Sequence, residues 1–162
     1  MNFRALEPTD LELLYTIENN PDLWDVGNCC TPYSRYDLEN YILTQSHDLY
    51  ADKQLRLVIE ADKPVGLLDL FNYSPAHNRA ELGLAILTSE RGKGYATAAL
   101  KEFSIYAREK LHLHQLYTIV PADNAPSLAM LRTAGFSNEV LLPQWLHTTA
   151  GYKDCLALFK IL

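Results

Sequence analysis

A chain of 162 residues, 48% hydrophobic and 21% charged, carries enough apolar material for one folded domain and is not disordered by composition. Its formal net charge of −6 speaks against the basic face that broad nucleic-acid binding requires. No apolar run approaches the roughly 20 residues that span a bilayer, and the opening MNFRALEPTD lacks a signal-peptide pattern, so the sequence reads as soluble and cytoplasmic.

No repeat, low-complexity segment or linker interrupts the chain, so residues 1–162 are expected to form one domain. Phe3 to Leu6 is a short first strand by this reading. Thr9 and Glu12 have the spacing of a capping box, and Leu11, Leu14 and Ile17 follow at helical intervals. NNPDLWDVGNCCTPY, residues 19–33, is broken by proline and glycine and predicts a loop. Its Cys29 and Cys30, with Cys155, form no zinc or CxxC pattern; free thiols and no bound metal are expected. Ser34 and Asp37 repeat the capping signal before Leu38, Tyr41 and Ile42, which predicts a second helix.

Three strand-like runs come next: LRLVIE (55–60), VGLLDLF (65–71) and RAELGLAIL (79–87). The turns ADKP and SPAHN separate them, so an antiparallel meander is predicted. Gly83 inside the third run suggests a bulge or a close backbone approach. Ala96, Ala99, Leu100, Phe103 and Ala107 make a helical stripe, and QLYTIV (115–120) is a further strand. Strand, helix and strand in that order imply two parallel neighbours. PADNAPS precedes a short helix, SLAMLRTA, which Gly135 ends. FSNEVLL and YKDCLALFKIL close the chain as strands, the second with Cys155, Ala157, Phe159 and Ile161 on one face. The class is α+β.

SERGKGYATAALKEF, residues 89–103, places Gly92 and Gly94 directly before the helical stripe. Glycine allows positive φ and close approach, and the free amides of a helix start favour an anion such as phosphate. Arg91 and Lys93 add charge at the rim. The Walker A pattern fails, because Leu87 stands where its first glycine belongs and Gly94 follows Lys93. The dinucleotide GxGxxG pattern fails at Thr97.

A third pattern fits. Arg91, two further residues, Gly94, one residue and then the small Ala96 match the pyrophosphate turn of the GNAT family of N-acetyltransferases. ELGLAIL resembles that family's fourth strand, and VPADNAPSLAMLRTAGF, with Asn124 and Gly135-Phe136, its second cofactor segment. GYKDCLALF resembles the last strand of the spermidine and ribosomal-protein acetylating subgroups. The resemblance covers nearly the whole chain. It implies an α+β fold: a mixed, mostly antiparallel sheet of about seven strands with about four helices, splayed between strands four and five.

The resemblance also implies acetyl-CoA as cosubstrate. Leu84, Ala85, Ile86 and Leu87 would meet the pantetheine; Arg91, Gly92, Lys93, Gly94, Tyr95 and Ala96 the pyrophosphate; Asn124 contacts the cofactor or caps the next helix. Gly83 would mark the bulge that lets the strands part. Acetyl transfer to an alkylammonium with a pKa of about 10 needs a base, directly or through water. Glu81 stands where the family often places that glutamate, and Asp69 is a second choice. A strand-four amide near Leu84 or Ala85 would hold the oxyanion. Leu131 occupies the position of a tyrosine that many members carry, so the acid falls to Ser127, Tyr117 or water. Trp24, Tyr33 and Glu39 lead the acceptor-binding candidates, with Asp22, Asp25, Tyr36, Trp145 and Tyr152 beside them. Acid and aromatic groups suit a cation. The expected acceptor is a small cationic amine such as a polyamine. A protein N-terminus is the alternative, as is an acyl-CoA sensor without catalysis. A homodimer is possible on this reading; nucleic acid and membrane are not expected partners.

Overall fold

Leu55, Leu57 and Ile59 alternate with Arg56, Val58 and Glu60, so this strand needs apolar cover on one face and mixed cover on the other. The computed structural model, which describes residues 1–24 and 31–162, supplies both. Its sheet has the order β1-β2-β3-β4-β5-β7-β6. The strands are β1 (Asn2–Arg4), β2 (Leu55–Glu60), β3 (Pro64–Ser74), β4 (Arg79–Ile86), β5 (Gln115–Pro121), β6 (Asn138–Thr148) and β7 (Gly151–Ile161). All neighbours run antiparallel except β4 and β5, which are parallel. The helix α5 (Tyr95–Glu109) makes the crossover between those two.

Two helical layers cover the sheet. On one face Ala99, Leu100, Phe103 and Ala107 of α5 and Leu128 and Leu131 of α6 (Ala125–Thr133) meet Leu57, Ile59, Leu68, Leu70, Leu82, Leu116 and Leu158. Phe103 is fully buried, and Phe3 meets it edge-on with centroids 5.3 Å apart. On the other face Leu14 and Ile17 of α1 (Leu11–Glu18) and Leu38 and Ile42 of α3 (Arg35–Thr44) meet Val58 and Leu67. Each fully buried leucine or phenylalanine contributes about 1.5–3 kcal/mol. The four predicted helices are thus present, joined by two single-turn helices, α2 (Pro21–Trp24) and α4 (Leu49–Asp52), that periodicity did not reveal.

Several local expectations shift. The first strand starts at Asn2 and stops at Arg4. Thr9 caps nothing: Pro8 opens a 3-10 turn through Asp10. The buried Asp10 carboxylate accepts the Glu7 amide at 2.9 Å and the Arg4 guanidinium at 2.6 and 2.9 Å. Glu12 instead pairs with Arg35 on α3. Ser34 does cap α3, accepting the Asp37 amide at 3.1 Å. Within the predicted loop 19–33, α2 is helical, Tyr33 and Asn19 exchange hydrogen bonds of 2.7 and 3.1 Å, and Asp25, Cys29 and Cys30 lie outside the described residues. On β7 Cys155 and Ala157 are buried as expected, but Ile161 is exposed and Leu158, on the opposite face, is fully buried. That strand sits inside the sheet between β5 and β6, so both of its faces are core in the middle and neither is at its end.

Candidate active site

The parallel pair that α5 connects is short. β4 and β5 are in register at Arg79–Gln115, Ala80–Leu116 and Glu81–Tyr117, and then the ladder stops. Neither strand frays there. β4 stays paired to β3 as far as Ile86–Gly66, and β5 stays paired to β7 as far as Pro121–Cys155. From Leu82 onward β4 therefore faces a gap in the ladder, as the expected splay requires. Side chains of Leu84 and Ile86 belong to the α5 side of the core and those of Ala85 and Leu87 to the α1 side, which leaves main-chain groups to line the gap.

Gly83 does not cause the parting. It lies in unbroken register with Asp69, and a Cβ there would come within 3.1 Å of the Phe71 ring. The glycine makes room for Phe71, while the register shift in this hairpin falls between Phe71 and Ser74, near the turn.

The glycine turn lies at the open end of β4. Gly92 and Gly94 have φ of 76° and 83°, a region that L side chains resist, and a Cβ on either would meet no protein atom within 4 Å. Gly94 is the N-cap of α5, and the first helical bond runs from the Ala98 amide to the Gly94 carbonyl. The amides of Tyr95, Ala96 and Thr97 have no partner inside the helix, and the positive end of its dipole lies among them. The two basic residues are tied down. Arg91 Nε donates to the Ile86 carbonyl at 3.2 Å, and Lys93 Nζ lies 2.8 Å from Glu90. Lys63, from the β2–β3 turn, reaches the same carboxylate at 2.8 Å. Lys63 first, then Lys93, hold the buried Glu90 below the usual carboxylate range. Lys63 was not foreseen, since nothing in a lone lysine in a turn marks a distant partner.

Where the strands part, Glu81 and Tyr117 lie side by side. Glu81 accepts Asn72 Nδ2 at 2.8 Å and stands next to Tyr117 across the last rung of the parallel ladder. Burial, then the nearby charge of Glu81, push the Tyr117 phenol above its ordinary value, so it keeps its proton at neutral pH. Tyr117 also stacks on Phe159, centroids 6.1 Å apart. Asp69, the second choice for a base, is engaged otherwise: Arg56 grips it at 2.6 and 2.9 Å and also holds Glu18 at 2.6 Å. Burial works against the charge of Arg56, but Asp69 and then Glu18 outweigh it and keep the guanidinium protonated. Both Asp69 oxygens are thus taken up by the guanidinium.

Asn124 caps α6, accepting the Ser127 amide at 3.2 Å, so cap geometry accounts for its Oδ1. Leu131 is 3% exposed and packs in the α5–α6 core, and its side chain has no proton to donate. Among the acceptor candidates, Tyr33, Tyr36 and Glu39 are exposed along the start of α3, and Asp22 is exposed on α2. The side chain of Trp24 lies outside the described residues. Trp145 and Tyr152 sit on the far hairpin of the sheet, separated from β4 by β5 and by β7 itself.

A strand pair that parts beside a carboxylate and points at a glycine-capped helix start defines a class of acyl-CoA-dependent transferases, and a model of the acetyltransferase (GNAT) domain matches residues 1–137. The chain belongs to that family, with acetyl-CoA as cosubstrate. More particularly, spermidine N(1)-acetyltransferase of Escherichia coli K12 is 29% identical over 161 residues, covering 96% of this chain and 83% of that protein. A crystal structure of spermidine N-acetyltransferase from Vibrio cholerae in complex with CoA and spermine has a TM-score of 0.84 at 26% identity, over 99% of this chain and 94% of that one. A dodecameric structure of the Vibrio cholerae enzyme has a TM-score of 0.79 at 25% identity, covering 99% and 92%.

Proposed function

We propose that this protein transfers acetyl from acetyl-CoA to a primary amine of a polyamine. The parting of β4 and β5 at the Glu81–Tyr117 pair carries the reading, because it offers a slot and a titratable pair at the same point. The relatives act on or hold polyamines, and the net charge of −6 suits a cationic acceptor. Glu81 takes a proton from the ammonium, directly or through water, and frees the amine for attack. A strand-four amide at Leu84 or Ala85 steadies the oxyanion. Tyr117, in place of the tyrosine lost at Leu131, gives its proton to the departing thiolate and regains one from Glu81. Of the two protons the ammonium loses, one ends on sulfur and one in solvent. The amides of Tyr95 and Ala96 and the turn Arg91–Gly94 receive the pyrophosphate, Leu84 to Leu87 the pantetheine, and Asn124 serves both as cap and as a cofactor contact. Ser127 is the second choice of donor. Trp24, Tyr33 and Glu39 remain the acceptor candidates.

We also read residues 1–162 as one N-acetyltransferase domain, since β7 completes the sheet beyond the matched segment, and as a multimer of identical chains, as in the dodecameric relative. Thiol release from acetyl-CoA against a panel of amines is the test. Spermidine and spermine are expected to support release, and peptides with free N-termini are not. Release with peptides alone would favour the N-terminal acetyltransferase reading. CoA binding without release on any amine would favour a non-catalytic sensor, the reading that Leu131 supports.

A further inference from the structure

Among the described residues β6 is an edge strand, paired to β7 alone. Its exposed side chains are not those of a protected edge. Val140 is 51% exposed, Leu141 56% and Trp145 59%, and Tyr152 across the hairpin is 68% exposed. Val140 lies opposite Ala157 and Leu141 opposite Leu156, so the two point to opposite faces of the sheet. The second half of the edge is blunted. The register shifts between Leu142 and Leu146, Pro143 has no amide to offer, and Gln144 at φ 50° donates its amide to Asp154 at 2.8 Å. The first half, Asn138–Leu142, is left as a regular strand with an open edge. Its one charged residue, Glu139, is neutralised by Arg132 at 2.7 and 2.9 Å.

We propose that Asn138–Leu142 pairs antiparallel with the same strand of a second copy, so that two sheets join across a two-fold axis. This rests on the multimer reading above. Edge pairing is the geometry that shields Val140 and Leu141 together; a partner packed on one face would cover one of them. An identical strand running antiparallel matches the edge, and the patch carries no charge with which to select an unlike partner. Two copies that each bear a net charge of −6 meet most easily where the surface is neutral. The four side chains present on the order of 400 Å² of apolar surface per copy, about half the roughly 800 Å² that a standard interface takes from each partner. Trp145 and Tyr152 thereby move from the acceptor site, where the sequence put them, to an interface.

Sedimentation of the full chain and hydrogen exchange of the β6 amides test the proposal. The wild type is expected to form dimers or even-numbered assemblies with protected Asn138–Leu142 amides. Leu141→Glu and Val140→Asp should each raise the dissociation constant at least about tenfold and expose those amides, with unchanged circular dichroism. Ile105→Glu, on the outer face of α5, should assemble as the wild type does. A monomeric wild type would sink both this pairing and the multimer reading. A multimer whose β6 amides exchange freely, or one that Ile105→Glu dissociates equally, would overturn the pairing alone. If the β6 variants fail to fold, exchange of the wild-type amides above and below the assembly concentration decides.

Discussion

At Gly94 the backbone itself does the selecting. A side chain there would meet no protein atom, so the cost of Gly94→Val within the fold is the strain of a φ of 83°, about 1–2 kcal/mol. The larger effect falls on whatever lies over the turn. Gly94→Val should weaken acetyl-CoA binding at least about tenfold by calorimetry in a protein that still folds; unchanged affinity would move the pyrophosphate elsewhere. The pair at the slot separates two roles. Glu81→Gln should lower turnover about 100-fold or more, most severely at low pH, with cosubstrate affinity little changed. Tyr117→Phe should lower kcat and leave KM for the amine nearly alone, because the phenol acts late. Equal activity of both variants and the wild type would remove the relay. Glu81 was offered as the base by the resemblance to the acetyltransferase family, and turnover of the variant decides it. The Tyr117 contact was not legible, because it depends on which residues end the parallel ladder.

Elements were legible where a local rule had no rival. Ser34 and Asp37 cap α3 as read, since no proline competes. Thr9 and Glu12 had the same spacing and failed, because Pro8 starts a turn one residue earlier and Asp10 goes to Arg4. The single turn of α4 is too short for periodicity, although its Asp48 cap on the Tyr50 and Ala51 amides was a readable sign. Arg56 illustrates what strand patterns hide. Alternation sets it on the opposite face from Leu55 and Leu57, but the fold is what brings Glu18, Asp69 and the Tyr41 ring, 5.6 Å away, around it. Arg56→Ala leaves two carboxylates facing each other without their cation. It should cost about 3 kcal/mol, read as a fall in Tm, and more than Arg56→Lys does.

For the whole molecule, charge sets the response to acid. Arg4 holds the Asp10 carboxylate below its ordinary value of 3.8, and Lys63 and Lys93 do the same to Glu90. A depressed carboxylate stabilises the fold fully above its unfolded value and loses that contribution as pH falls through its folded value. Tm should therefore hold from neutral pH to about 5 and drop below about 4. Asp10→Asn should lower Tm at pH 7 and flatten the acid limb; an unchanged limb would show that Asp10 does not contribute to it. The α+β class and the order β2-β3-β4-β5 were visible in the hydrophobic period and the turns, whereas the splay was implied by the family resemblance that the glycine turn carries. The edge exposure of β6 was not visible, since a run such as NEVLL reads the same whether a neighbour covers it or not.

The short ladder between β4 and β5 also bears on the order in which the chain folds. β5 is bonded to β4 only at Gln115–Tyr117, and the rest of it is held by β7. During synthesis the meander β1 to β4 and helix α5 can pack as they emerge, but the far wall of the slot cannot be fixed until the last strand has been made. A ligand of the slot then has nothing complete to bind until β7 is in place, so it can stabilise the finished sheet but cannot guide the packing of β1 to β4.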